Sequence, residues 1–479
     1  MALARLATDA ELDRIFDGAL KVLETAGFLY QSPALRDTLV VAGCLDGPGD
    51  RVRIPRAMVQ TMLEPRLASP ALGPDSLARR QGPYRVGIGS QLAQFYLDPE
   101  TSRRLPADRA LLAEVTRFGH VWQDPEPVGP VLLARDVPPP VEPIEAVITL
   151  AQHTDRVAAG YVHYADQVPY LAEMGRILTG DAQRFIGICV FAVTPLRLDR
   201  RACELLQALM PRGASVWIGT QPASGASSPV TVAGTVVLAV AEILAGWVAC
   251  HVLAPEALPG AGVCSGVLDM RTADVSYCAP EAMLQDLLCV EVFRHRAGGR
   301  CHVAGCASYT DAKWPGSQRA FEQAFEALTI YYHTGDGPHS GSGLLESGKT
   351  FSPVQLMLDQ EFGEYLWRFA GGVGVSDEAL ALESILDITD GIGESHMTSD
   401  HTLEHWRGLY SPHLLDRGCW QDDTREARGE ARLLARAWEQ YREVRDQYQP
   451  THVSPEHTRA LEQVAEDAWR QSLGVSRPA

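Results

Sequence analysis

The sequence lacks most of the features that would announce its chemistry. It has no run of Lys or Arg, and 42 basic residues against 60 acidic ones leave a net charge of −18, which argues against nucleic acid and tolerates basic protein partners. None of its ten cysteines forms a CxxC pair, and the chain is too long for a disulfide-stapled scaffold, so reduced thiols are expected. Cys301-His302 with Cys306 has the look of a metal cluster. These residues fall within one apparent strand, however, where neighbours point to opposite faces, so they read as buried small side chains and no metal site is expected. The N-terminus MALARLATDAELDRIF is acidic early and has no apolar signal core, so a cytoplasmic protein is expected. There is no GxSxG elbow, no HExxH pair and no carboxylate pair at diagnostic spacing, which removes the common hydrolase readings. Gly87-Ile88-Gly89-Ser90 lacks the Lys of a phosphate loop and the third Gly of a dinucleotide fingerprint. A chain without its own nucleophile fits chemistry carried by a cofactor.

Long hydrophobic runs are also scarce, with one exception. Ala223 to Pro255, ASGASSPVTVAGTVVLAVAEILAGWVACHVLAP, joins a small-residue loop to a helix whose only ionisable residues are Glu242 and His251. Apolar residues occupy every face, which predicts a helix wrapped by protein; Gly234, Gly246 and Glu242 count against a membrane span. Ser227 and Ser228 are candidate N-caps, with Pro229 in the first turn and Pro255 as terminator. Their free N–H groups would favour a carboxylate or phosphate.

With 46% hydrophobic and 21% charged residues the remainder is ordinary globular sequence, and 479 residues predict one large domain with terminal additions. Helical spacing marks 9–27, 32–42 and 55–63, with strand-like RVRIP between the last two. A turn-rich linker at 70–83 leads to a hairpin turning at Asp98-Pro99. Short apolar runs then precede helical segments: 127–134, 156–164, 184–193, 214–221, 262–270, 300–308 and the segment PHSGSGLLE. Their helices are expected at about 140–153, 167–179, 199–210, 229–253, 280–296, 317–333 and 353–369. Seven strand–helix units without a doubly wound fingerprint predict an α/β protein with a closed (β/α)8 barrel of the TIM type. A helix near 376–389, a Gly/His-rich stretch to Trp420 and charged helices at 424–447 and 454–473 follow. The organisation expected is 1–83 helical, 84–420 barrel and 421–479 helical extension.

Barrels bind ligands at the carboxyl ends of their strands. Those positions carry His163, Tyr164, Thr194, Gln221, Asp269, Arg271, Tyr309, Asp311, Lys313, His339 and Glu346, a set suited to a small polar molecule, with His and carboxylates for proton work and rings for a cation. Singly, such residues more often cap a helix or bond a loop.

Five stretches in order resemble the trimethylamine methyltransferase family, which includes glycine betaine and related quaternary amine methyltransferases: GASSPVTVAGTVVLAVAEILAG (225–246), LDMRTADVSYCAPE (268–281), TDAKWPGSQRAFE (310–322), MLDQEF (357–362) and HTLEHWRGLYSPHLLDR (401–417). The resemblance spans nearly the whole chain. It implies a barrel with added helices and transfer of a methyl group from a methylated amine to a corrinoid on a separate protein, with no tightly bound cofactor; tetrahydrofolate is the alternative acceptor, and a non-catalytic binding relative the alternative role. Family members acting on trimethylamine carry pyrrolysine, whereas this chain has only standard residues, so it resembles the non-pyrrolysine branch and a betaine-like substrate is implied. Gly316 and Ala273 stand where the family's Asp and Gly are expected, and the region after Leu258 is compressed. The implied site has the cation against Tyr96, Tyr164 or Tyr309, with Gln221, Asp269 and His339 as further binding residues and His163, Asp311 and Glu346 as catalytic candidates. Self-association is expected, as is common in the family.

Overall fold

A computed structural model describes residues 3–68, 84–89, 93–158, 160–298, 301–305, 308–335, 339–418 and 429–478. The expected linker at 70–83, Ser90, Cys306, Pro338, Trp420 and the start of a helix at 424 lie outside these residues.

The apolar stretch forms one long helix, Val232–Leu253, with Thr235, Val236 and every residue from Ala239 to Cys250 buried. It lies between the N-terminal helix Asp9–Thr25 and the helix Pro280–Arg296. It is long and apolar enough for a membrane span, yet 72% of its apolar window is buried inside the protein, as an all-round apolar helix in a large core should be. The N-cap is Thr231, correcting the expectation of Ser227 or Ser228. Those two serines close a turn of their own: both N–H groups donate to the Ala223 carbonyl, at 2.9 and 3.1 Å. Ser227 Oγ accepts from Ala223 N at 3.0 Å and Ser228 Oγ lies 2.9 Å from Thr235 Oγ1. The N–H groups expected to attract an anion are therefore already spent.

Four strands, Ile188–Phe191, Val216–Thr220, Gly260–Val263 and Cys301–Val303, form a parallel sheet in chain order. Each is followed by a helix (Arg200–Leu209, Val232–Leu253, Pro280–Arg296 and Ser317–Thr334), so the connections are crossovers of the α/β type. Alternation divides the strands. Ile188, Val190, Val216, Ile218, Ala261, Val263, Cys301 and Val303 are buried beneath helices. Cys189, Phe191, Trp217 and His302 face the other way and are only half-buried. Glycines make room for the large rings on that second face: a Cβ at Gly219 would stand 2.6 Å from the Phe191 ring, and one at Gly260 2.4 Å from the Trp217 ring.

The other runs expected as strands behave differently. Residues 127–134 and 156–164 make only isolated parallel bridges, Val128↔Val157 and Ala93↔Leu132, and Pro127 and Pro130 remove ladder donors there. The segment PHSGSGLLE supplies Leu344–Leu345, which turns back antiparallel onto Thr350–Phe351. The run at 262–270 splits at Cys264-Ser265 into the core strand and a second strand, Gly266–Leu268, paired antiparallel with Val275–Ser276. Among the described residues the ladders thus show an α/β architecture around a four-stranded parallel sheet, and a ring of eight strands is not among them.

The helix expected at 376–389 breaks at Ala381, whose φ of 49° is left-handed, into Asp377–Leu380 and Leu382–Thr389. The terminal helices Gly429–Arg445 and Pro455–Leu473 lie away from the sheet but bury one face each. Tyr441 stacks on Phe118 with ring centres 4.0 Å apart, and Trp469 Nε1 donates to Glu145 at 2.7 Å.

Candidate active site at the carboxyl ends of the parallel strands

Two buried carboxylates tie the strand ends to the helices behind them. Glu242 accepts from Leu196 N at 2.7 Å, from Thr194 Oγ1 at 2.9 Å and from Thr220 Oγ1, so the helix grips the ends of two neighbouring strands. Burial raises its carboxyl above the usual range, and the three donors oppose that rise. Asp286 accepts from Ser265 N at 2.7 Å and holds the turn after the third strand; burial pushes its carboxyl up to about 7.

Beyond these struts the site is aromatic. Tyr277 and Tyr309 lie with ring centres 5.6 Å apart. The Tyr309 phenol is raised by burial first, and then by the charges of groups that include Cys264, Tyr161 and Tyr277. Tyr161 also lines, with Gly187, Ile188, Cys189, Ser215 and Trp217, a cavity of about 350 Å³ that lies toward the amino ends of the first two strands, away from the ring pair's end of the sheet.

Glycine backbone holds Tyr309 in position. A Cβ at Gly305 would come within 2.4 Å of its ring and one at Gly348 within 2.6 Å. The second wall is a turn in which Glu346, Ser347 and Gly348 all have positive φ (54°, 53° and 84°), strain that persists only where surroundings enforce it. The turn is pinned by Ser347 N to Thr310 O at 2.7 Å and Glu346 N to Ala312 O at 2.9 Å. Gly348→Ala is expected to push the Tyr309 ring out of place and raise KM for substrate about tenfold while costing about 1–3 kcal/mol of stability. Unchanged kinetics in the folded variant would show that this wall does not position the ring.

A second group lies beside the rings. Cys278 Sγ and carboxylate oxygens of Asp311 and Glu322 all lie within 4.8 Å of one another. Glu326, one helical turn beyond Glu322 and 2% exposed, has a carboxylate oxygen, Oε2, with no hydrogen-bond partner. Burial pushes the Glu326 carboxyl up to about 8; Arg319 opposes this, and Glu322, Asp286 and Asp311 add to it. A carboxyl raised on folding contributes stability below its unfolded value that is lost as pH rises through the folded one. The protein should therefore lose stability between about pH 5 and 9, and Glu326→Gln should flatten that slope by several degrees of Tm at the alkaline end. Parallel Tm–pH curves for the two proteins would refute the assignment.

The predicted site residues separate accordingly. Tyr309 and Asp311 lie in this region. Gln221 Nε2 reaches Cys264 Sγ at 3.9 Å, at the sheet's edge. His163 N donates to Gln167 Oε1 at 2.8 Å, and its buried Nε2 has no partner. Burial, then the nearby Arg201, holds His163 below the usual histidine range, so it is neutral near pH 7. Glu346 is taken by Arg104 at 2.6 Å and Thr350 Oγ1 at 2.8 Å, which makes it part of the turn. Asp269 is paired with Arg271 at 3.1 Å in an exposed loop. Tyr164 is 38% exposed with Arg201 above its ring at 6.0 Å, and His339 is exposed. Tyr96 is 4% exposed and packs on Phe351 at 6.2 Å, next to Glu114 and Arg445, in the core under the C-terminal helix. Tyr161 and Tyr277 were overlooked. Tyr161 shares a face with His163 at period two in one of the apolar runs, and Tyr277 sits inside LDMRTADVSYCAPE, so both signals were present.

A family model described as trimethylamine methyltransferase matches residues 1–470. The chain belongs to the trimethylamine methyltransferase family. Membership makes it a methyltransferase, as the five ordered motifs implied. The trimethylamine methyltransferase of Methanosarcina barkeri (strain Fusaro) is 28% identical over 71% of this chain and 67% of its own length. That of Desulfitobacterium hafniense (strain DCB-2) is 23% identical over 98% and 95%. The glycine betaine methyltransferase of Desulfitobacterium hafniense (strain Y51) is 23% identical over 94% of each chain. The crystal structure of the Methanosarcina barkeri monomethylamine methyltransferase aligns over 92% of this chain and 87% of its own at 10% identity and a TM-score of 0.42, too distant to argue from.

In this family member the MLDQEF stretch is structural. Asp359 accepts from Gln323 at 2.9 Å, Gln355 at 2.7 Å and Gly343 N at 2.8 Å. Gln360 bridges Val86 N and Tyr84 O at 2.8 Å each, and Glu361 accepts from Tyr410 Oη at 2.8 Å and Leu414 N at 3.1 Å. The two departures from the family pattern also have a structural reading. Gly316 leaves room for Glu430, whose carboxylate accepts from Ser317 N at 2.9 Å and so caps this helix from another one. Ala273 has φ 60°, a conformation that a glycine would hold without strain.

Proposed function

We propose that this methyltransferase removes a methyl group from a small quaternary amine of the betaine type, held against Tyr161, Tyr277 and Tyr309, and delivers it to a corrinoid on a separate protein. The observation that carries the substrate class is the Tyr277–Tyr309 ring pair beyond the carboxyl ends of the parallel strands, with Tyr161 close enough to act on Tyr309 electrostatically. A trimethylammonium group has a diffuse charge and no hydrogen to donate, so ring faces recognise it better than carboxylates do. The printed name of one relative, glycine betaine methyltransferase, agrees with that class. A reduced corrinoid supplies the strong nucleophile that the chain itself lacks. The protein's own work is orientation and exclusion of water, with neutral His163 available for a proton at Nε2.

We read the whole fold as a (β/α)8 barrel, supported by four parallel strands in chain order and by the parallel bridges that extend the pattern on the N-terminal side. A reducing, cytoplasmic setting is supported by the eight described cysteines, all of which are free. Self-association is supported by the exposed apolar residues Val373, Val375, Ile392, Met397 and Leu409 in one segment, and a monomeric mass by light scattering would refute it.

Incubation with reduced corrinoid protein and a panel of betaines is expected to yield methyl-Co(III) absorbance. Methyl-folate formation in corrinoid-free mixtures would move the acceptor to tetrahydrofolate. Calorimetric binding without turnover on either acceptor would make the chain a binding relative.

A further inference from the structure

Cys278 precedes the helix Pro280–Arg296, Asp311 lies in the loop after the strand Cys301–Val303, and Glu322 sits on the helix Ser317–Thr334. Three separate segments thus bring one sulfur and two carboxylates within 4.8 Å of one another. Groups of like charge at such spacing oppose one another unless a cation lies between them. A divalent ion inverts that balance, because a coordinating thiol is deprotonated outright.

Two further observations point the same way. Glu322 is held by neighbours, accepting from Gln318 Nε2 at 2.8 Å, from Asp311 N at 3.1 Å and from Thr310 Oγ1, the kind of outer bonding that orients a ligating carboxylate. Glu326 stands four residues on, on the same helix face, 2% exposed and with Oε2 lacking any partner. Glu326 is not among the groups that lie within 4.8 Å of one another, and its charge and theirs act on one another from further off. A buried carboxylate oxygen without a donor is costly in a finished site.

We propose that Cys278, Asp311 and Glu322 bind one divalent metal ion of the zinc class, with Glu326 adding negative charge from one helical turn beyond Glu322. A soft thiolate beside two carboxylates selects zinc or cobalt(II) over magnesium and calcium, which prefer oxygen alone. The site adjoins the ring pair through chain neighbours, Tyr277 next to Cys278 and Tyr309 two residues before Asp311. It does not depend on methyl transfer for its recognition.

The test uses the full-length protein stripped with a chelator and titrated with cobalt(II), then with zinc. One cobalt per chain is expected, with a thiolate-to-cobalt charge-transfer band that zinc abolishes. Cys278→Ser should remove the band and weaken zinc at least about 100-fold in competition with a chromogenic chelator, since even outer groups cost 10–100-fold. Glu322→Gln and Asp311→Asn should weaken it comparably, with folding checked by circular dichroism. If Cys278→Ser does not fold, Asp311→Asn, at a half-exposed position, carries the test. Absence of stoichiometric uptake, uptake without the thiolate band, or a band and affinity unmoved by the folded variants would overturn the site.

Discussion

Tyr309→Ala is expected to weaken binding of tetramethylammonium and of glycine betaine by about 10–30-fold, whereas Tyr309→Phe stays within about threefold of the parent. The ring lies between two glycines whose spare volume exists for it, beside Tyr277 at 5.6 Å. One desolvated cation–ring contact is worth up to about 2 kcal/mol, and about 1.4 kcal/mol is a factor of ten. Phe keeps the face that meets the cation and loses only the hydroxyl. The measurement is calorimetric affinity on both variants, with Tm recorded to show that the fold persists. Equal affinities for Ala, Phe and the parent would remove Tyr309 from the cation site and, with it, the substrate class argued from the ring cluster.

For stability the largest loss should come from Glu242→Ala. Three donors converge on this one buried carboxylate: the Thr194 and Thr220 hydroxyls and the Leu196 amide. Each donor left bare in the core costs about 1–3 kcal/mol, so the sum is roughly 3–9 kcal/mol, comparable with the whole stability of many domains. Glu242→Gln keeps an acceptor oxygen and can donate to a threonine hydroxyl, so its cost should be about 1–2 kcal/mol. Urea unfolding of the two variants distinguishes the strut from a spectator. If Glu242→Ala unfolds at the parent midpoint, the helix does not secure the strand ends through this side chain.

The site was only partly legible in the sequence. Strand-end logic placed Tyr309, Asp311 and Gln221 beyond the strands, where the structure has them, because those positions follow from where an apolar run stops. It misplaced Tyr96, whose strand pairs with Thr350–Phe351 rather than with the parallel sheet. Glu346 and Asp269 lie where strand-end residues were sought, but each is claimed by an arginine, Arg104 and Arg271, and only the folded chain shows which arginine comes close. Tyr161 lies two residues before His163, where that logic began to look.

By itself the sequence determined the helices. Patterns at 280–296, 317–333 and 353–369 matched Pro280–Arg296, Ser317–Thr334 and Pro353–Ala370 almost to the residue, since helical spacing, Pro at the first turn and small terminators are local. It determined the family too, through motifs whose order needs no structure to read. What only the tertiary structure decided was pairing across distance: which strands join the sheet, that Ser227 and Ser228 spend their N–H groups on a turn, that Glu430 caps a helix more than one hundred residues away, and that Cys278, Asp311 and Glu322 meet. The physical reason is range. Capping and periodicity are settled within a few residues, whereas a strand pair, an ion pair or a ligand cluster depends on contacts that form only once the core has brought distant segments together.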